Sequence, residues 1–330
     1  MGTSSFIQNH GENLRPHSFN EKENRCRAIF EDALRQGRSF WHVCTPGNSQ
    51  YIIFDSPEDY KLGTILAAVC SYDAGVRIIT FELMSNHVHF ILDCSGKEDA
   101  SSFLDLYRKR LTKYFQTNGE SRDFRDFNAD PIPITTLESL RNQICYTNRN
   151  NFVVDPDQTP FSFPYGANAY YFNPFAKSRR GELFGDLSDR AKIRLLHSKR
   201  IDYPGNYLVT DGYFSPVSFC DIAFGESVFR DARHYMFKLS RDLESYKELA
   251  ESLGDQVYYT DDELVGIVYS ICNKRYSQDK PSMLTFSQKN ELARTLHFDY
   301  KADNAKISRI LHIPVTTLDS LFPMSISNKR

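Results

Sequence analysis

The sequence has no long hydrophobic run. Its longest apolar stretch, Ile65 to Cys70 with its neighbours, falls far short of the ~20 residues a membrane helix needs. The polar N-terminus (MGTSSFIQNHGENLRPHSFNEK) lacks the apolar segment of a secretory signal. The 7 cysteines include no CxxC pair, which argues against a disulfide framework or a zinc knuckle and makes a reducing cytoplasm the expected compartment. No glycine-rich phosphate loop (GxxxxGK followed by Ser or Thr, or GxGxxG) occurs, so nothing calls for a nucleotide cofactor. An excess of one charge is missing too, with 40 Lys and Arg against 42 Asp and Glu. That balance neither requires nor forbids nucleic acid, because one face can be basic while the whole chain is not.

What is present is ordinary globular composition, 41% hydrophobic and 25% charged over 330 residues, enough for two or three domains at roughly 150 residues each. The pattern is α+β. A polar arm and one helix (Asn24 to Gln36) occupy residues 1–37. Phe40 to Thr45 reads as a strand, Pro46-Gly47-Asn48 as a turn, and Ser56-Pro57-Glu58-Asp59 as a capped helix start. Leu62, Ile65, Leu66 and Val69 give that helix an apolar stripe, and Gly75 ends it. Val76 to Met84 and His87 to Cys94 are two strands joined by a tight Ser85-Asn86 turn. A helix over about Ala100 to Thr117 buries Phe103, Tyr107, Leu111 and Tyr114. Ile132 to Ile134 suits an edge strand, and Thr135-x-x-Glu138 reads as a capping box opening a helix through Asn150. This order predicts a ferredoxin-like antiparallel sheet with helices on one face, over residues 38–175.

Residues 176–280 read as a basic and helical connecting region, with helices around Ser188 to Ser198 and from Phe229 into the 250s. In residues 281–330, Phe286 to Leu296 is amphipathic. Asn304 to Leu311 and Val315 to Phe322 are then two short helices across His312-Ile313-Pro314, which suits a helix-turn-helix.

The sharpest local signal is Asn86-His87-Val88-His89-Phe90. Alternation along a strand points His87 and His89 the same way, about 7 Å apart at Cα, while Val88 and Phe90 point to the core. That spacing suits two imidazoles at one divalent ion, and Asp93 falls on the same face. On the later helix, Leu137, Leu140 and Ile144 define the apolar stripe. Tyr146 lies roughly 150° from it, with Asn150 one turn further on the same side. A phenol and a carboxamide are thereby presented together. An ion held by two imidazoles and an amide oxygen keeps open positions for a phosphate oxygen, and a phenol can attack a phosphodiester to form a covalent link.

These residues carry a family resemblance. Thr80-Phe81-Glu82-Leu83-Met84-Ser85-Asn86-His87-Val88-His89-Phe90-Ile91-Leu92 resembles the histidine–hydrophobe–histidine (HUH) segment of single-tyrosine transposases, most of all the REP-associated tyrosine transposases. Trp41-His42-Val43, Pro46-Gly47-Asn48, Ile53-Phe54 and Glu58-Asp59-Tyr60 are similar to the opening strand and first helix of that family. Tyr146-x-x-x-Asn150 is similar to its tyrosine helix. Ser85 stands where the family usually has proline, Asn151 replaces another proline, and Phe161-Ser162-Phe163 replaces a customary Trp-Ser-Ser. The resemblance implies a divalent ion, Mg²⁺ or Mn²⁺, held by His87, His89 and Asn150. It also implies Tyr146 as the nucleophile on single-stranded DNA, commonly beside a hairpin.

Eight basic residues against three acidic ones fall between Tyr171 and Arg200. Of these, Arg179, Arg180, Lys192 and Arg194 are candidates for holding phosphates. Val315, Thr316 and Thr317 open the second helix of the expected helix-turn-helix, where base contacts are made. The expectation is therefore a transposase or nickase acting on single-stranded or hairpin DNA, as monomer or homodimer, with no membrane partner. Two alternatives stay open: a DNA-binding regulator on the same fold without turnover, and a hydrolytic metal nuclease using His87, His89 and Asp93.

Overall fold

The computed structural model describes residues 19–45, 52–120, 122, 124, 127–154, 161, 163–240, 261–300 and 302–322. The expected turn at residues 46–48 and the helix expected beyond residue 240 lie outside them.

Helix α1 (Phe19–Arg35) leads into β1 (Ser39–Cys44), α2 (Pro57–Ala74), β2 (Arg77–Leu83), β3 (Val88–Cys94), α3 (Lys97–Thr117), β4 (Ile132–Ile134) and α4 (Leu137–Val154). The four strands form an antiparallel sheet in the order β2-β3-β1-β4. Among the described residues β4 pairs only with β1, as its prolines require of an edge strand. Ser56 caps α2 in a full capping box with Asp59, Pro57 fills the first turn, and Gly75 closes the helix in the left-handed region at φ 66°. That conformation carries no steric penalty for glycine. At α4 the cap is one residue later than expected. The Ser139 amide donates to Thr136 Oγ1 at 3.1 Å, while Glu138 is taken up by Lys238 and Arg141.

Residues paired across a ladder share a face. The register Glu82↔His89↔Cys44 therefore puts a carboxyl, an imidazole and a thiol in one row, with His42 two residues along β1 on the same face. The opposite face carries Val88, Phe90 and Leu92. Phe90 packs against Phe103 and Tyr107 of α3, with ring centroids 4.9 and 5.4 Å away. On the histidine face lies α4. Helices thus cover both sides of the sheet, contrary to the expected single face. The physical reason is that both sheet faces are buried, one apolar and matched by α2 and α3, the other polar and matched by α4. Gln143, Ile144, Cys145, Tyr146, Thr147, Asn148, Arg149 and Asn150 are all buried, so α4 has no solvent side over residues 143–150.

Two apolar cores divide the chain differently from the expected segments. Phe30 and Ala33 of α1, the sheet, α2 to α4, and Leu196, Phe214, Phe229, Tyr235 and Leu239 belong to one core. Residues 176–239 thus pack with the sheet, and they add a second small sheet of Glu182–Leu183, Leu208–Thr210 and Tyr213–Phe214. The other core joins Leu264, Ile267 and Val268 with Leu292, Leu296, Ile307, Leu311 and Leu318. It is built by helices Asp261–Tyr276, Phe286–Phe298, Asn304–Leu311 and Val315–Leu321. Asn304 ties the last two together, donating to Asp319 Oδ1 at 2.9 Å and to the Phe322 carbonyl at 3.1 Å. No described helix is long and apolar enough to cross a membrane.

Candidate active site

Beyond the Leu83↔Val88 pair the Met84 amide donates to the His87 carbonyl at 2.9 Å, which leaves Ser85 and Asn86 as a two-residue turn. This turn sets His87 just ahead of β3, so the ladder holds His89 on the same side. The two rings stand edge to face with centroids 4.8 Å apart. Asn86 Oδ1 lies 2.7 Å from His87 Nδ1. A carboxamide oxygen only accepts, so Nδ1 donates in this bond, and in the neutral ring Nε2 is then the nitrogen left to bind a metal. His89 Nδ1 lies 3.3 Å from His42 Nε2, and His89 Nε2 lies 3.9 Å from Cys44 Sγ. Burial, reinforced by the charges His87 and His42 would carry, holds His89 well below the ordinary imidazole pKa. It is therefore neutral at pH 7, the form in which imidazole binds metals.

Tyr146 meets this cluster from α4. Its ring centroid is 5.5 Å from that of His89 and 6.0 Å from that of His42, both near-perpendicular. The phenol is only 3% exposed, although helix periodicity predicts an outward-facing side chain. Asn150, one turn further, is buried as well. The two elements that bear the site also touch the C-terminal helices. Met84 packs into the second apolar core, and helix Asp261–Tyr276 contacts α4.

The donor set suits a divalent ion. His42, Cys44, His87 and His89 lie together and are donor types that divalent ions take, with Tyr146 packed on two of the rings. Among the described residues, no three His, Cys, Asp or Glu side chains form a ready-made metal group, so closing on an ion needs side-chain rotation.

Asp93 does not join the histidines. It is buried and bonded by Arg38 Nε at 2.6 Å and Arg77 Nε at 2.8 Å, two cations that compete with any metal for its oxygens. The hydrolytic alternative built on Asp93 therefore loses its third ligand. Nor do the basic candidates converge on the site. Arg179 pairs with Asp211, and Lys192 donates to the Gly185 carbonyl beside the Phe184 ring. Arg180 is exposed. Arg194 lines a cleft with Glu58, Lys61, Leu62 and Ile65 of α2 and Tyr114 of α3, with the sheet between it and the histidines. Val315 and Thr316 are exposed at the start of the last helix, and Thr317 is half-buried.

His42, Cys44, Asn86 and Glu82 are the neighbours that the spacing argument missed. The signal for the first two is a His-x-Cys alternation on β1 with the same period as the His-x-His on β3. Only the strand register brings them together. Glu82 is 1% exposed, and burial lifts its carboxyl well above the usual carboxylate range.

The chain matches no protein-family model, and no curated protein or solved structure compared with it gave a match.

Proposed function

We propose that this protein is a metal-dependent enzyme that cuts and rejoins single-stranded DNA through a covalent phosphotyrosine at Tyr146. The observation that carries the proposal is the packing of the Tyr146 phenol edge-on to His89 and His42, beside a His87 whose Nδ1 is already committed to Asn86. A phenol has little reason to sit in a buried cluster of three imidazoles unless it works with what they hold. The strand order β2-β3-β1-β4 and the succession β1-α2-β2-β3-α3-β4-α4 support reading residues 38–170 as the ferredoxin-like HUH domain that the sequence resembles.

His87 and His89 would hold the ion through Nε2, with Asn150 supplying an amide oxygen. His89 then donates from Nδ1 to His42, which fixes its ring as outer partners fix metal-bound histidines. The ion supplies charge withdrawal from the phosphodiester and eases ionisation of the nearby phenol. Tyr146 Oη attacks phosphorus, the bond from phosphorus to the 3′ oxygen of the preceding nucleotide breaks, and that oxygen leaves as a hydroxyl after taking up a proton. The 5′ phosphate stays on Tyr146, so attack by a 3′ hydroxyl reverses the step and rejoins strands. Tyr146 is buried, and DNA would reach it by a movement of the elements packed on the histidine turn and α4, among them helix Asp261–Tyr276.

That burial also favours a second function, a DNA-binding regulator whose C-terminal helices act as a helix-turn-helix while the phenol stays closed off. Labelled single-stranded hairpin DNA, incubated with Mg²⁺, Mn²⁺ or Zn²⁺ and run on denaturing gels, separates them. Cleavage with a protein adduct that disappears in Tyr146→Phe supports the enzyme. Retention of DNA without cleavage, unchanged in Tyr146→Phe, supports the regulator.

A further inference from the structure

Cys44 stands beside the histidines, and the proposed reaction does not use its chemistry. It pairs directly with His89 across the β1–β3 ladder, so both side chains leave the sheet on the same face. Its Sγ lies 3.9 Å from His89 Nε2 and 3.5 Å from the Thr45 carbonyl. In a tetrahedral zinc site, with Zn–N about 2.0–2.1 Å and Zn–S about 2.3 Å, sulfur and nitrogen stand roughly 3.6 Å apart. The thiol is therefore within a few tenths of an ångström of the spacing it would have if both atoms bound one ion. It faces Nε2, the nitrogen that Nδ1 bonding to His42 leaves for a metal. Cys44 is only half-buried, so an ion can reach it. None of the seven cysteines is in a disulfide.

We infer that Cys44 is a third protein ligand of the ion, giving a His₂Cys donor set that takes Zn²⁺ or Co²⁺ in preference to Mg²⁺ or Mn²⁺. This inference rests on the reading of His87 and His89 as metal ligands. A thiolate is a soft ligand that selects zinc-like ions, whereas Mg²⁺ and Mn²⁺ favour oxygen donors. Two imidazoles and a thiolate also leave a fourth position open, as catalytic zinc sites do. On binding, the Cys44 S–H bond breaks, the S–metal bond forms, and one proton goes to solvent. The sulfur keeps its oxidation state. The inference changes the ion expected from the family resemblance, because the resemblance concerns the histidines and is silent about a thiol at this position.

The test uses the full-length reduced protein, stripped with chelator and titrated with Zn²⁺, Mn²⁺ and Co²⁺. The expected results are Zn²⁺ binding far tighter than Mn²⁺ and a near-ultraviolet thiolate-to-Co²⁺ absorption band. Zn²⁺ should also protect Cys44 from iodoacetamide, as mapped by peptide mass. Cys44→Ser should lose the band and weaken Zn²⁺ at least ~10-fold, with Mn²⁺ binding little changed. Cys44→Ala should repeat the result, and the alkylation arm needs no substitution at all. Co²⁺ bound without the band, and Cys44 alkylated equally with and without Zn²⁺, would overturn the ligand assignment. If His87→Ala still abolishes binding in that case, the histidine site stands without Cys44. If His87→Ala binds every ion as wild type does, the parent reading fails instead. Absence of saturable binding of any ion to the wild type removes both.

Discussion

Gly166 sits at one end of the row that runs through Glu82 and His89 to Cys44. A Cβ on residue 166 would lie 2.1 Å from Glu82 Oε2, 2.9 Å from its Cδ and 3.1 Å from the Phe81 carbonyl oxygen. The backbone there cannot back away. Leu83 N donates to the Tyr165 carbonyl at 3.2 Å, and Ala167 N donates to the Phe81 carbonyl at 3.0 Å. In Gly166→Ala the carboxyl must therefore shift by more than an ångström from a slot in which it is 1% exposed. Overpacking of this kind costs about 1–3 kcal/mol. Removing the obstructing atoms with Glu82→Ala should reduce the cost of Gly166→Ala to about 0.5 kcal/mol or less, a coupling of at least ~0.5 kcal/mol between the two positions. Urea unfolding of the four proteins measures it. The single tryptophan, Trp41 on β1, gives a fluorescence signal from the sheet itself rather than from the C-terminal core. The shifted carboxyl is driven along the row toward His89, so Gly166→Ala should also weaken metal binding. An equal penalty for Gly166→Ala with and without the Glu82 side chain would refute the reasoning, since the clash would then lie elsewhere.

Three further outcomes are expected. Arg141 of α4 is 2% exposed, bonds Glu23 of α1 at 2.8 Å and donates to the Val228 carbonyl at 2.6 Å; Arg141→Ala should cost about 3 kcal/mol in urea unfolding, and a loss under ~1 kcal/mol would mean the pair is solvated. His234 is buried, accepts from the Arg230 amide, and is held down to about 4 by burial and then by the Arg230 charge. The unfolded chain takes up that proton below about 6.5, so this stabilisation is full above that pH and is lost as pH falls toward 4. It amounts to on the order of 3 kcal/mol. His234→Gln should flatten the acid limb in this window, and an unchanged pH profile would contradict it. Finally, Met84→Ser should loosen the C-terminal helices from the histidine turn and raise nitration of Tyr146 by tetranitromethane; equal nitration in wild type and variant would show that these helices do not cover the phenol.

Much of the framework was legible because its signals are local. The Ser56–Pro57 start of α2, the hairpin at Ser85-Asn86, and the short helices on either side of His312-Ile313-Pro314 each depend on a few adjacent residues, and the structure has them. Strand and helix periodicity paired His87 with His89 and Tyr146 with Asn150, and the family resemblance is what singled them out. The misses are tertiary. Nothing local says that the later turns of α4 are enclosed, because its polar residues Arg141, Thr147 and Asn148 look like a solvent face until α1, helix Ala232–Leu239 and the sheet close around them. Asn148, for instance, spends its amide on Tyr235 and its carbonyl oxygen on Thr80. His42 and Cys44 joined the cluster only through strand register, and Asp93 left it because Arg38 and Arg77 reach it from other elements. Helix Asp261–Tyr276 went unrecognised because it is apolar on several sides, without one clear stripe.

The most direct test of the central claim is the chemical fate of Tyr146. Wild-type protein incubated with single-stranded hairpin DNA and Zn²⁺ or Mn²⁺ is digested with protease and nuclease, and the peptide bearing Tyr146 is weighed by mass spectrometry. The account predicts a nucleotide joined to that tyrosine through a 5′ phosphate, with neither adduct nor cleavage in Tyr146→Phe. DNA cleavage that persists in Tyr146→Phe, or an adduct mapped to a different residue, would contradict it.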